Sequence, residues 1–296
     1  MEIKPTPVVE IHNDLLTANQ VQLFVKREDL NHPTISGNKA RKLKYNLSRA
    51  KAEGHDTLLT FGGAFSNHIY ATAAAGKKYG FKTIGIIRGE ETLPLNPTLQ
   101  FAKDSDMELH YIDRTKYRLK NSLIFMDELK KKFGEFYNIP EGGSNKEAIE
   151  GCLEMINELD KSYDYYCCSV GTGGTLAGII EGLKGEGKVI GFSSLKGEFL
   201  TVEVSSLLST NGFDIRDNWE VNGKYHFGGY AKFPEELKSD MLAFEAEHGF
   251  KLDPIYTAKA MLGILDMIKE NKFPKGSKIL FVHTGGLQGR MGFGLD

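Results

Sequence analysis

Apolar and polar positions along the chain follow two periods. Short apolar runs bounded by polar or glycine residues read as buried strands over 21–25, 57–61, 82–88, 108–112, 165–170, 188–192 and 278–283. Between them, apolar residues recur every three to four positions, which predicts helices. These cover 66–79, closed by Gly80, then 97–103, and 122–133 with its basic end Lys130-Lys131-Lys132. Further helices are predicted over 145–159, capped by Ser144 or Asn145, and over 175–183, 234–247 and 257–271. Strands alternating with helices predict an α/β architecture of open, mostly parallel sheets flanked by helices. No repeat, low-complexity tract or Pro/Ser-rich linker marks a domain boundary.

Composition narrows the function classes. At 296 residues the chain can bury one large core or two medium ones. A net charge of -2 gives no electrostatic basis for nucleic-acid or anionic-membrane binding. No apolar run approaches the ~18 residues of a membrane span. Met1-Glu2-Ile3-Lys4-Pro5 lacks the apolar stretch of a secretion signal, so a cytoplasmic location is expected. Three cysteines argue against a disulfide framework. Cys167 and Cys168 are adjacent in a strand, so they point to opposite faces and read as core residues rather than metal ligands.

Three segments carry candidate chemistry, each where a strand gives way to a helix. The first is Ser36-Gly37-Asn38-Lys39-Ala40-Arg41-Lys42, after the charged exit Lys26-Arg27-Glu28-Asp29. A lysine amine can form a Schiff base with an aldehyde, and pyridoxal phosphate is the common aldehyde cofactor. Alone, a lysine at a helix start is usually a solvated charge. The second is Ser169-Val170-Gly171-Thr172-Gly173-Gly174-Thr175-Leu176-Ala177-Gly178. Its glycines let backbone N–H groups approach an anion, and the helix N-terminus adds its dipole. No Lys-Ser/Thr follows, so it is not a P-loop, and Leu176 occupies the last glycine position of the dinucleotide fingerprint. A single phosphate fits better than a pyrophosphate. The third is Gly62-Gly63-Ala64-Phe65-Ser66-Asn67-His68, where Ser66 and Asn67 would ordinarily be read as helix caps.

Taken together, and in this order, these segments resemble the pyridoxal-phosphate enzymes of the tryptophan-synthase-β fold type. Within that group the chain is similar to the D-cysteine desulfhydrase and 1-aminocyclopropane-1-carboxylate (ACC) deaminase family. Asp253-Pro254-Ile255-Tyr256-Thr257-Ala258-Lys259-Ala260-Met261 and His283-Thr284-Gly285-Gly286 extend the likeness to most of the chain. The resemblance implies a two-domain fold, with a larger domain from 1–41 plus 140–296 and a smaller inserted α/β domain over 42–139. It implies pyridoxal 5'-phosphate bound to Lys39, which also moves the Cα proton. It implies Asn67 on the cofactor's phenolate oxygen, Gly171, Thr172, Gly173, Gly174 and Thr175 around the phosphate, and Lys42 as its charge partner. Ser66 would contact the substrate carboxylate or transfer a proton, and Tyr230 and Tyr256 would be the active-site tyrosines. A homodimer acting on a small amino acid is expected.

Thr257 is the expected discriminator. ACC deaminases place a glutamate there, facing the pyridine nitrogen, and D-cysteine desulfhydrases a threonine. A carboxylate favours the protonated ring, a stronger electron sink. Threonine therefore favours α,β-elimination of D-cysteine or a related D-amino acid to pyruvate, ammonia and sulfide. The alternatives are ACC deamination to 2-oxobutyrate and a binding protein that kept the cofactor without turnover. The chain departs from the family pattern at Phe65, usually glutamine, and at Tyr70, usually arginine. It is also shorter over 90–96 and after Gly286, and reads His32-Pro33-Thr34-Ile35-Ser36 where a glycine-rich approach is usual.

Overall fold

The seven apolar runs all form strands, because a strand of a parallel sheet is covered on both faces and needs no polar alternation. The structure, a computed structural model, describes residues 1–295. In chain order the first elements are β1 (Val8–Ile11), α1 (Asp14–Asn19), β2 (Gln22–Lys26), α2 (Asn38–Ala52), β3 (Thr57–Gly63) and α3 (Asn67–Tyr79). Next come β4 (Lys82–Arg88), α4 (Pro97–Asp104), β5 (Met107–Ile112), α5 (Arg114–Tyr117), α6 (Leu123–Phe133) and β6 (Tyr137–Ile139). The chain continues with α7 (Lys146–Asn157), β7 (Tyr165–Val170), α8 (Gly174–Leu183), β8 (Lys188–Ser193) and α9 (Phe199–Thr210). It ends with β9 (Trp219–Asn222), α10 (Glu235–His248), α11 (Thr257–Lys269) and β10 (Lys278–Val282). Helix starts follow the capping chemistry: Asn145, not Ser144, caps α7, and Gly80 ends α3 in the left-handed conformation.

Six strands form one sheet in the order β1-β2-β10-β7-β8-β9, in which only β1 runs antiparallel to its neighbour. Four strands form a second, fully parallel sheet in the order β5-β4-β3-β6. Each sheet is packed on both faces. Cys167 joins the core of the larger sheet that faces α10 and α11, with Phe192, Met261, Ile264 and Phe281. Cys168 joins the opposite core, with Ile149, Leu176, Ile180 and Leu280. The adjacent thiols thus divide between two faces, as their spacing requires. In the smaller sheet, Leu58 and Ile139 pack on Leu43 and Leu47 of α2, while Leu59, Phe61 and Ile86 pack on Phe125 and Leu129 of α6. The C-terminal ends of strands from both sheets open on one cavity, the usual place for a ligand in α/β sheets.

Beneath that cavity lies a buried ion cluster. Arg41, fully buried on α2, donates from Nε to Glu28 Oε2 at 2.8 Å and from Nη2 to Glu158 Oε2 at 2.8 Å. Lys26 Nζ donates to the same Glu158 oxygen at 3.1 Å. The cluster ties the end of β2, the start of α2 and the end of α7 to one another. A buried pair adds little over an apolar core, but removing one partner strands the other as an uncompensated charge. Arg41→Met is therefore expected to cost about 3–5 kcal/mol, read as a lowered midpoint in urea unfolding. A loss under about 1 kcal/mol would contradict this reading of the cluster.

Candidate active site

The site begins with two strand-to-helix turns that meet. Gly37 precedes α2 with φ +67°, and a Cβ placed on it would lie 1.9 Å from the carbonyl oxygen of Thr284, so no other residue fits. Asn31 holds that glycine on both sides, accepting from Gly37 N at 2.9 Å and donating to Gly37 O at 2.9 Å. Asn38 N then donates to Thr284 O at 3.1 Å, and Asn38 Nδ2 to Thr175 Oγ1 at 2.8 Å. The start of α2 is thereby fastened both to the residues after β10 and to the start of α8.

This fastening puts Lys39 and Lys42 on consecutive turns facing the cavity. Burial, with the Lys42 ammonium beside it, pushes the Lys39 amine down to about 7. A substantial fraction of Lys39 is then the free nucleophilic amine at neutral pH. Lys42 is buried, and its pKa is lowered by that burial. Its Nζ donates to Gly142 O at 3.0 Å and to Ser144 Oγ at 3.4 Å. Ser144 Oγ in turn meets Thr172 Oγ1 at 2.6 Å.

The glycine loop after β7 closes on that ammonium. A Cβ at Gly174 would sit 2.8 Å from Ser144 Oγ and 3.0 Å from Lys42 Nζ. Only glycine lets the N-terminus of α8 approach a lysine this closely. The result is a cradle of backbone N–H groups, threonine hydroxyls and one cation, built for an anion with several acceptor oxygens. Gly171, Thr172, Gly173 and Thr175 line the cavity, while Gly174 lies behind the wall.

Ser66 and Asn67 start α3 on another side of the same cavity. Ser66 Oγ accepts from His68 N at 3.2 Å and Ile69 N at 3.3 Å, so it is a cap whose hydroxyl hydrogen stays available to the cavity. Asn67 Oδ1 accepts from Gln288 Nε2 at 2.9 Å. Tyr230 and Tyr256 meet edge to face, with ring centroids 6.1 Å apart, and burial pushes both phenols up, so each keeps its proton.

Thr257 is not where the sequence reading puts it. It is fully buried and does not line the cavity. Asp253 N donates to Thr257 Oγ1 at 2.6 Å and Thr257 N donates to Asp253 Oδ1 at 2.9 Å, a reciprocal pair that closes the entry to α11. The hydroxyl is consumed in folding the helix start. Among the hydroxyls that do line the wall are those of Ser169 and Thr284, 3.1 Å apart, at the ends of β7 and β10.

Other residues of the site carried no sequence signal that singled them out. His68, read as an ordinary histidine, is buried in the cavity wall. Thr60 Oγ1 donates to Ile139 O at 2.8 Å, so His68 Nε2, 2.8 Å from Thr60 Oγ1, must carry the hydrogen. Burial and the two lysines hold its pKa far below the usual value, leaving Nδ1 as a neutral acceptor without a partner. Lys259 is also buried, and its Nζ donates to His226 O at 3.0 Å and Gly229 O at 2.8 Å. It bolts the segment that carries Tyr230, in which Phe227, Gly228, Gly229 and Ala231 all have positive φ, onto α11.

Comparisons with known proteins show which family the chain is related to. The sequence profile of the family described as "Pyridoxal-phosphate dependent enzyme" matches residues 1–285. A Thermotoga maritima protein that carries a provisional ACC deaminase name is 34% identical over 98% of this chain and 96% of its own. The bifunctional D-cysteine desulfhydrase/ACC deaminase of Arabidopsis thaliana, a mitochondrial protein, is 32% identical over 92% of this chain and 74% of its own. A solved ACC deaminase homologue superposes with a TM-score of 0.84 at 30% identity, covering 98% of this chain and 92% of that one.

Pyridoxal phosphate fits the residues present. The lysine is nucleophilic near neutrality, and the anion cradle faces the same cavity of about 570 Å³. Lys39 would hold its aldehyde carbon, and the loop 171–175 with Lys42 its phosphate. Because the neutral amine is the reactive form, cofactor incorporation into the apoprotein should accelerate as pH rises and level off above a midpoint of about 7. Stopped-flow absorbance of pyridoxal-phosphate uptake between pH 5 and pH 10 measures this. A midpoint near that of free lysine, about 10.4, would show that the site leaves Lys39 unperturbed.

Proposed function

Since the chain belongs to the family of pyridoxal-phosphate-dependent enzymes, we propose that it catalyses α,β-elimination of D-cysteine, or a related β-substituted D-amino acid, to pyruvate, ammonia and a thiol or sulfide. The observation that supports this reading is the pair of hydroxyls, Ser169 and Thr284, on the cavity wall, which would be neutral partners for the ring nitrogen of the cofactor. Thr257 stands at the position expected to be glutamate in an ACC deaminase; it does not itself line the cavity, whose wall carries Ser169 and Thr284. The acids that line the cavity are Glu141, tied to Tyr117 and Lys120, and Glu203 on α9. Hydroxyls donate hydrogen bonds without adding charge, whereas a carboxylate would hold a proton on the nitrogen.

The cofactor supplies the electron sink for a carbanion at the substrate Cα. The protein supplies the rest. Lys39 Nζ, as the free amine, would accept the Cα proton of the bound substrate. The Cβ–S bond breaks as that electron pair becomes a Cα–Cβ bond, and the sulfur leaves as thiolate. One water then takes the three-carbon remainder to pyruvate and ammonia. Departure of a stable thiolate needs less carbanion stabilisation than opening a cyclopropane. The Ser66 hydroxyl hydrogen and the Asn67 amide, at the start of α3, would bind substrate and cofactor oxygens. Tyr230 and Tyr256, both protonated, close the site as donors near the leaving group. Lys42 would neutralise the phosphate. The bifunctional name of the Arabidopsis relative supports both D-cysteine and ACC as substrates to test.

Purified holoprotein is expected to release pyruvate and sulfide from D-cysteine, with 2-oxobutyrate from ACC at least ~100-fold slower, a margin of about 2.7 kcal/mol in barrier. Lys39→Ala should lower turnover by at least ~1,000-fold, the scale of losing a positioned acid–base group. Preferential 2-oxobutyrate production from ACC would replace the elimination reading with deamination.

A further inference from the structure

One cation on the cavity wall has no work in the chemistry above. Arg88 is the last residue of β4, beside the last residue of β3, at the C-terminal edge where the smaller sheet meets the cavity. A Cβ at Gly63 would lie 3.4 Å from Arg88 Nη2, so the side chain folds back over the end of β3. On its other side the guanidinium carbon stands 5.5 Å from the centroid of the Tyr117 ring. That ring is fixed in turn, since Tyr117 Oη donates to Glu141 Oε1 at 2.8 Å. Lys120, the neighbouring cation on this wall, is committed to Glu141 at 3.3 Å. Among the described residues no carboxylate lies within ion-pair distance of Arg88. The guanidinium is oriented but its hydrogen-bonding edge is unspent, the state in which arginine recognises a planar oxyanion.

Its position separates it from the reacting end. Arg88 is exposed at the rim of the cavity beside Tyr117, whereas Lys39 is half-buried on α2, in the turn that Gly37 presses against Thr284. Arg88 therefore stands at the mouth of the cavity, apart from the helix turn that carries the reacting amine. A substituent that extends from the reacting end toward solvent would pass this rim.

Resting on the elimination reading, we propose that Arg88 is a specificity-determining residue for the far end of the substrate, and that the preferred substrates are β-thio-substituted D-amino acids whose leaving thiol carries a carboxylate. The balance is that of the parent reaction: one water enters, the Cα proton and the Cβ–S bond are lost, and pyruvate, ammonia and the carboxylate-bearing thiol leave. No oxidant or reductant takes part.

The test compares S-carboxymethyl-D-cysteine with its neutral isostere S-carbamoylmethyl-D-cysteine on the holoprotein and on Arg88→Gln and Arg88→Lys. Pyruvate release gives kcat and KM, and titration of the cofactor's visible absorbance gives Kd whether or not turnover follows. The wild-type protein should favour the carboxylate substrate by about 10-fold to 100-fold, the range of one charged hydrogen-bonded contact. In Arg88→Gln that preference should vanish, through KM and Kd rather than kcat, and Arg88→Lys should restore part of it. An equal loss for both compounds would place Arg88 on the shared α-carboxylate and overturn the proposal. An unchanged ratio would make Arg88 a solvated rim charge and overturn it as well. If D-cysteine run in parallel also yields no pyruvate, the elimination reading fails, and the Kd ratio alone still decides whether Arg88 selects the anion; pyruvate from D-cysteine but from neither S-substituted compound overturns the substrate proposal alone.

Discussion

Everything at the cavity depends on one close approach, that of Gly37 to the backbone at Thr284. There the turn before α2 is pressed against the residues after β10, and Asn38 fastens it to α8 as well. Segments from the first, middle and last parts of the chain are thus held at backbone contact. The cost of that closure is dehydration of two lysines on the same helix turn pair. The benefit is chemical: burial and mutual repulsion keep Lys39 partly unprotonated, while Lys42 finds carbonyl and hydroxyl partners at the anion cradle. The Arg41–Glu28–Glu158 cluster below supplies rigidity rather than much net stability, which suits a support for reacting groups.

The fold was legible where the physics is local. Parallel strands covered on both faces must be continuously apolar, so the central strands β2, β3, β4, β7, β8 and β10 stood out, with the six-residue edge strand β5 beside them, and glycine and asparagine marked the end of α3 and the start of α7. The other edge strands escaped because burial on one side leaves them short and mixed: β1 and β9 have four residues each, and β6 has three. Helix α9 escaped for a related reason. Only Leu200, Val204 and Leu208 are buried on it, while Val202 and Phe199 face outward, so its apolar residues do not form one clean stripe.

The site was legible through residue types that are costly elsewhere. Three turns rich in glycine, serine and lysine, each at a strand end, converge on one cavity. Contacts between distant segments carried no such mark. Thr257 was read as a ring-facing hydroxyl, yet folding the start of α11 takes that hydroxyl for Asp253. Lys259 reads as one more helical lysine, but a turn away from Tyr256 it is the bolt for the Tyr230 segment. His68 became informative only when Thr60 and Ile139 fixed its tautomer. In each case the deciding partner is remote in sequence or is a backbone atom, and no spacing rule reports it.

The central claim, that the site is organised around a single nucleophilic lysine, is tested most directly by its covalent footprint. The pyridoxal-phosphate-loaded protein, reduced with borohydride and digested, can be mapped by mass spectrometry. One phosphopyridoxyl group on the peptide containing Lys39, at Lys39 and not at Lys42, is the expected result. Labelling at Lys42, at Lys259 or spread over surface lysines would contradict it.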